Sequence, residues 1–502
     1  MSSATTAAPE APPASGLDRY FEITARHSTV GREVRGGLVT FFAMAYIIAL
    51  NPLIIGTAAD SRGLLITGQP KLDAAGATIA ANVSGSIAAV AAATALIAGV
   101  MTILMGVIGR FPLGLAAGLG INAMLAYVVA PQTTWPQAMG LIVWEGLIIT
   151  ILVLTGFREA VFRAVPKALR TGISIGIGLF ITLVGLVDSG VVRRATGTPL
   201  EIGVNGSLIG WPIAVFVVGV LMLVLLYGAR VRGAMLIAIV VMTIVAVVLE
   251  SVLHIGAVDP QQNPMGWALN IPALPATLFT LPDLSLIGRV DLFGAFSGGP
   301  QIVIAMIMTV FALLLADFFD TMGTIVAVGA EARLLQADGN PPRTREILLV
   351  DSLAALAGGA GSASSNTSFI ESAAGVGEGA RTGLASVVTG CAFLVSLFFA
   401  PLVNMVPSEA VAPVLVIVGF LMMSQVGTVD WDNLDDGLPA FLTMALMPFA
   451  YSITAGIGAG FIFYVLLRAV RGKANELHPL MWAVAIAFVL YFSQGLISAM
   501  IA

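Results

Sequence analysis

The sequence predicts an all-α protein that crosses a membrane many times, and three observations carry that prediction. Hydrophobic residues make up 58% of the 502 and charged residues 10%, with a mean hydropathy of +0.98, whereas a soluble chain carries about 25% charged residues. Apolar runs close to the roughly 20 residues needed to span a bilayer recur along the chain. Loops rich in Lys and Arg alternate with loops nearly free of them. The net charge of −5 decides little, because in a membrane protein the distribution of Lys and Arg carries the information. The single Cys391 lies inside an apolar run, so no disulfide framework and no structural metal site is expected.

Residues 1–18 (MSSATTAAPEAPPASGLD) are rich in Ala, Pro and Ser and lack an apolar core. They read as a disordered tail and not as a cleaved signal peptide. Clear spans follow at Val34–Gly56, Ile87–Ile108, Gly140–Gly156, Ala168–Val187, Gly210–Tyr227, Ala234–Leu253, Ile302–Val328, Leu384–Ala400, Val411–Gln425, Ile453–Val470 and Leu480–Ile501. Weaker ones are Leu113–Ala130, Ile347–Gly359, Asn366–Val376 and Pro439–Ala450.

Positive charge sets the orientation. Arg19, Arg26, Arg32 and Arg35 precede the first span, Arg110 follows the second, and Arg158, Arg163, Lys167 and Arg170 follow the fourth. Arg230 and Arg232 follow the sixth, and Arg333, Arg343 and Arg345 the eighth. Pro131–Gln137 and Pro401–Glu409 carry neither Lys nor Arg, while Asp188–Ile209 breaks the pattern with Arg193 and Arg194. The N-terminus is therefore expected in the cytoplasm. Reading Pro439–Ala450 and Ile453–Val470 as two spans keeps Arg468, Arg471 and Lys473 on the same side. That choice gives fourteen spans, with Leu480–Ile501 as an extra hydrophobic segment.

Three carboxylates fall at membrane depth: Asp317 and Asp320 in Ile302–Val328, and Glu371 in the Gly/Ser-rich Gly358–Val376. A charge there costs roughly 2.5–3.5 kcal/mol even on the mildest scales, so such residues usually face a cavity and bind or relay something. In ADFFDTMGT the spacing of Asp317, Asp320 and Thr324 predicts one shared helix face, able to accept a ligand N–H or exchange a proton. The plainer alternative is an Asp that caps a broken helix or pairs with a buried Arg. In SNTSFIESAAG, backbone too polar for lipid is followed by Glu371, and Phe369 offers a flat surface to a planar ring. A re-entrant loop that merely packs between helices is the alternative there.

GLGINAMLAY places Gly118 and Gly120 for close backbone approach and adds the Asn122 amide, otherwise a common interhelical contact. This segment and Gly358–Val376 occupy the same ordinal place after a strong span. Interrupted segments at matching places point to a transporter site between inverted repeats. Glu145 reads as a helix–helix hydrogen-bonding residue, Glu250 and Asp188 as span-end residues, and Asp351 as a partner for Arg343 or Arg345. His27, His254 and His478 fall outside the spans, leaving the carboxylates as proton carriers. GVGEGARTG has no preceding strand and no following Gly-Lys-Ser/Thr, so it is no phosphate loop. Without a Walker motif an ATP-driven pump is not expected, nor is an enzyme, a cofactor or a nucleic-acid partner.

REVRGGLVTFFAMAYIIALNP, GLGINAMLAY, ADFFDTMGT, TSFIESAAGVGEGARTGLASVVTG and the late VDWDN…PAFLTMALMPFAYSI…GFIFY pattern resemble the AzgA-like purine permease branch of the nucleobase:cation symporters. The resemblance spans about residues 19–500 and implies a uracil-permease-like fold of 14 transmembrane segments. These would form 7+7 inverted repeats with interrupted third and tenth segments. It implies core regions at 19–160 and 301–402, gate regions at 161–300 and 403–502, and a homodimer through the gates. The family's binding acids fall on Asp320 and Glu371, and its third-segment Gly and Asn on Gly120 and Asn122. Uracil-type relatives carry His one turn after the eighth-segment acid; Thr324 stands there in this chain, a departure that argues for the purine branch.

The expectation is a plasma-membrane importer of hypoxanthine, guanine or adenine by proton symport. Asp320 and Glu371 would grip the ring's N–H edges, one of them carrying the proton. Main-chain groups near Gly120 and Phe369–Ile370 would complete the recognition, with Thr324 beside them. An anion or other nucleobase carrier of the same fold, or a purine receptor that does not transport, are the rivals.

Overall fold

The computed structural model describes residues 16–74, 76–156, 165–194, 198–231, 233–259, 262–275, 277–336 and 341–501. Arg158, Arg163, Arg232 and residues 1–15 of the expected tail lie outside the described residues. A short helix, Gly16–Phe21, already includes the last three residues assigned to that tail.

Among the described residues ten helices are long and apolar enough to cross a membrane. They follow the predicted spans closely, and Ala234–Leu253 and Ile453–Val470 have the predicted ends. The α-helical pattern of the first span is broken once: Val30–Met44 gives way to Ile47–Ile55, with Ala45 and Tyr46 between them still in right-handed helical conformation. Pro300–Glu331 has 32 residues, about 48 Å at 1.5 Å per residue, so it overreaches the hydrocarbon core. Leu434–Phe449 and Ile453–Val470 are separate helices, turned at Tyr451 with φ 50°. Pro479–Ile501 is helical and packs on Ile453–Val470 and Pro300–Glu331.

Small residues decide which helices meet. Lipid tails are as apolar as Leu, so helices associate through backbone proximity and packing more than by hiding apolar surface. A Cβ on Gly106 would strike the Gly383 carbonyl, and one on Gly390 the Gly99 carbonyl, so Ala80–Leu104 with its continuation and Gly383–Ser396 touch along a glycine seam. Elsewhere Gly172 and Gly176 of Lys167–Asp188 meet Ala440 and Met447, while Gly178 and Gly185 meet Gly419 and Leu415.

Two interrupted segments cross where helices would be expected. Leu115–Ala117 and Asn366–Ser368 are short strands paired antiparallel, Ala116 opposite Thr367. Each leads into a six-residue helix, Leu119–Met124 and Ser372–Gly377. Extended backbone at this depth must bury its polar groups in protein, and Leu115–Ala117 and Ala363–Phe369 are buried throughout. Thr102 closes the open edge, its hydroxyl accepting from Leu115 N at 2.9 Å and donating to Leu115 O at 3.0 Å.

At one end of the fold Asp435, fully buried, bridges Arg471 at 3.0 Å, Lys473 at 3.2 Å and Arg468 at 3.7 Å. Removing one member of a buried ion pair costs about 3–5 kcal/mol, less where the partners are partly exposed, as these are. Asp435→Asn is expected to destabilise by about 2–3 kcal/mol. A thermal-unfolding midpoint in detergent equal to the parent's would contradict that.

Candidate functional site

A cavity of ≈1270 Å³ enters the molecule from the end that carries Lys167 and Arg230. One wall comes from Pro300–Glu331 and residues 370–374; the other from residues 167–174, 227–231, 233–235 and 418–425. The cavity is partly open, a vestibule and not an enclosed pocket, and it exceeds the roughly 300–1,000 Å³ usual for small-molecule sites. Asp320, Thr324, Ile370 and Glu371 line it.

Helical geometry separates the acids. Asp320, Gly323, Thr324 and Ala327 recur at three- and four-residue steps and all face the cavity. Asp317 does not share that face, contrary to the sequence expectation. At about 100° per residue Gly323 lies about 60° to one side of Asp320 and Asp317 about 60° to the other, the side of Thr321, where both Asp317 and Thr321 are fully buried. Thr321 there donates to Asp351 at 3.1 Å and lies 3.0 Å from the Thr367 hydroxyl. Asp320 is accessible within the cavity, and no hydrogen bond or ion pair engages its carboxylate among the described residues.

The strand crossing places Glu371. Phe369 N donates to Gly114 O at 3.0 Å and Gly114 N to Ser372 Oγ at 2.9 Å, pinning both sides of the acid. Glu371 opens the short helix without using its side chain as a cap. Tyr46 Oη donates to Glu371 Oε1 at 2.6 Å. The Tyr46 ring, 1% exposed, lies 6.4 Å from that of Phe369.

The other expected residues lie behind the cavity surface in this conformation. Phe369 is 6% exposed and Asn122 fully buried, while a Cβ on Gly120 would meet Ile177 of the facing helix. Sequence reasoning missed Tyr46, although a hydroxyl in the apolar run TFFAMAYII was a signal, because buried Tyr O–H groups find partners. It also missed that Lys167, Arg170 and Arg230 line the cavity.

The remaining acids have structural partners. Ser365 Oγ donates to Glu145 Oε1 at 3.3 Å, tying the helix Trp135–Leu154 to the extended stretch before Asn366–Ser368 and not to a second helix as expected. Asp351, expected beside Arg343 or Arg345, is buried and accepts from Ser368 Oγ at 2.7 Å; Arg343 bridges Glu346. Helical rotation and two turns of distance take Asp351 from the loop into the core. Glu250 accepts from Ile255 N and Trp267 Nε1, fixing the loop after its helix. Tyr127 Oη donates to Asp188 Oδ2 at 2.7 Å, joining the third segment to Lys167–Asp188 at the end away from the cavity mouth. Burial lowers the pKa of Lys71 in the adjoining loop, and the Asp188 charge opposes that shift. Among the described residues no group of three or more His, Cys, Asp or Glu is placed to hold a metal ion.

Known proteins share both the sequence pattern and this frame. Residues 74–463 match Xan_ur_permease, a permease family. The guanine/hypoxanthine permease PbuG of Bacillus subtilis is 35% identical over 484 residues, covering 95% of this chain and 99% of the relative. The adenine permease AdeP of Escherichia coli is 33% identical, covering 94% and 95%. Among solved structures, the transmembrane domain of a cyanobacterial bicarbonate transporter, BicA, aligns with TM-score 0.55 at 16% identity, over 86% of this chain and 96% of that one. Murine Slc26a9, an anion transporter in its inward-facing state, aligns with TM-score 0.58 at 11% identity, over 93% and 74%. The structural likenesses establish the fold: a mainly helical, multi-pass membrane protein.

Proposed function

The chain belongs to the Xan_ur_permease family of permeases, and from that premise we propose that it imports purine nucleobases by proton symport. The observation that carries this reading is the cavity bounded by Asp320 and Glu371, from two segments adjoining the strand crossing. Guanine, hypoxanthine and adenine present ring or exocyclic N–H groups, and two carboxylates are acceptors for them. A protonated carboxyl at either position neutralises a charge that is costly to move within low dielectric. Asp320 or Glu371 thus carries the coupled proton. Thr324 and Ile370 flank the base in the open vestibule. Gly120, Asn122 and Phe369 complete the site as the walls close.

Fourteen segments result when Leu119–Gln132, Thr344–Ala360, Asn366–Gly377 and Leu434–Phe449 join the ten long helices. They divide into two inverted repeats of seven. The antiparallel meeting of the third and tenth segments supports that symmetry. Regions 19–160 and 301–402 form a core, and 161–300 and 403–502 a gate that moves against it. The basic residues at the cavity mouth mark the cytoplasmic side, so the N-terminus is cytoplasmic and the vestibule opens inward. The exposed apolar faces of Trp211–Gly228 and Ala234–Leu253 offer a surface to plasma-membrane lipid and to a second copy in a homodimer.

The fold neighbours include anion carriers, and the basic cavity mouth makes anion transport the rival reading. Two acids deeper in the cavity disfavour it electrostatically. Adenine or guanine is expected to raise the thermal-unfolding midpoint, and sulfate to leave it unchanged; the reverse pattern would favour the rival. Competition among adenine, guanine, hypoxanthine, xanthine and uracil then ranks the bases.

A further inference from the structure

We propose that Tyr46 is a positioning residue for substrate recognition: its hydroxyl fixes Glu371 so that one carboxylate oxygen is spent on the protein and the other is presented to the base. The inference rests on the reading of Glu371 as the substrate acid. The 2.6 Å contact from Tyr46 Oη to Glu371 Oε1 has the short length of a charge-assisted O–H···O bond. No other side chain donates to Glu371 among the described residues, and the carboxylate does not cap its own helix. Without Tyr46, a side chain with three rotatable bonds would sample several positions in the open vestibule.

Tyr46 sits where the α-helical pattern of the first span is broken, between Val30–Met44 and Ile47–Ile55. Its ring packs near Phe369 at 6.4 Å, and its own exposure is 1%. The ring is therefore held on one side by the segment that it serves on the other. A buried Tyr needs only a partner for its hydroxyl, and any backbone carbonyl would satisfy that need. Here the partner is instead a cavity-lining acid, 325 residues away in sequence.

The test uses the full-length protein in uptake assays with radiolabelled hypoxanthine. Tyr46→Phe keeps the ring and removes the donor. Its KM is expected to rise about tenfold, with Vmax within about twofold and the unfolding midpoint within a few degrees of the parent. Glu371→Asp shortens the acid out of reach of the hydroxyl and should itself raise KM. In that background Tyr46→Phe should add less than about twofold, since contacting residues are not additive. A parental KM for Tyr46→Phe, a fall in Vmax at unchanged KM, or a full tenfold increment in the Glu371→Asp background each overturns the role. Failure of the underlying site reading looks different: Glu371→Asp alone would then keep the parental KM, and the role of Tyr46 would fall with it.

Discussion

Glu371→Gln and Asp320→Asn are each expected to abolish proton-coupled uptake of radiolabelled hypoxanthine. Both acids line the cavity wall that also contains Thr324 and Ile370. An amide keeps the shape of the carboxyl but replaces an acceptor by an N–H₂ donor and removes the titrating group. Donor then faces donor at the base's N–H edge. A hydrogen bond to a charged group contributes about 1.5–3 kcal/mol, so recognition alone should weaken by roughly 10- to 100-fold. Loss of the proton carrier removes what binding remains from productive coupling. Asp317→Asn provides the contrast, since Asp317 lies on the buried face and its loss should act through stability. Near-normal accumulation by both Glu371→Gln and Asp320→Asn, with folded protein in the membrane, would defeat the assignment.

A second large effect is expected from a residue that touches no substrate. Gly375→Val should reduce uptake at least tenfold and lower the unfolding midpoint. A Cβ at Gly375 would collide with Thr40 Oγ1 and the Gly36 carbonyl of the first span. Reciprocally, one at Gly36 would lie 2.8 Å from the Gly375 carbonyl oxygen. The Gly36 carbonyl is backbone and cannot swing aside, and Thr40 is β-branched and stiff at χ1. Overpacking costs about 1–3 kcal/mol or more, and the short helix Ser372–Gly377 must move outward to relieve it. Glu371, at the start of that helix, would move with it and leave Tyr46. A Cβ at Gly377 would meet nothing within 4 Å, so Gly377→Ala should transport normally. Equal loss in both variants would point to generic helix disruption instead.

The two scales of the molecule were not equally legible in its sequence. The long spans could be read because bilayer thickness imposes about 20 apolar residues on each helix. The interrupted segments could also be read, since Gly/Ser-rich backbone has no place against lipid. Which way a residue faces was harder. Asp317 and Asp320 differ by three positions, and only the packing of Thr321 against Asp351 and Thr367 reveals which of them turns from the cavity. Asp351 looked like a loop partner because its nearest charges in sequence are Arg343 and Arg345, yet Ser368 Oγ is the donor at 2.7 Å. Tyr46 was legible as an unusual hydroxyl but not as the partner of Glu371. That pairing joins the break after Met44 to the segment that follows the strand crossing, 325 residues away, and no local sequence pattern reports it.

The basic residues of the vestibule show the same limit. Lys167, Arg170 and Arg230 mark loop positions in the sequence, and their convergence on one cavity emerges only from the fold, which brings the start of Lys167–Asp188 and the stretch around Arg230 to the same opening. The acids below them are what the sequence singled out. The structure keeps Asp320 and Glu371 on that surface and adds Tyr46 behind Glu371.

Accumulation of hypoxanthine by purified protein in proteoliposomes tests the central claim most directly. With the interior made alkaline, hypoxanthine should rise above its external concentration, and a protonophore should return it to equilibrium. Hypoxanthine that merely equilibrates, or accumulates equally without a pH gradient, would contradict proton-coupled purine transport.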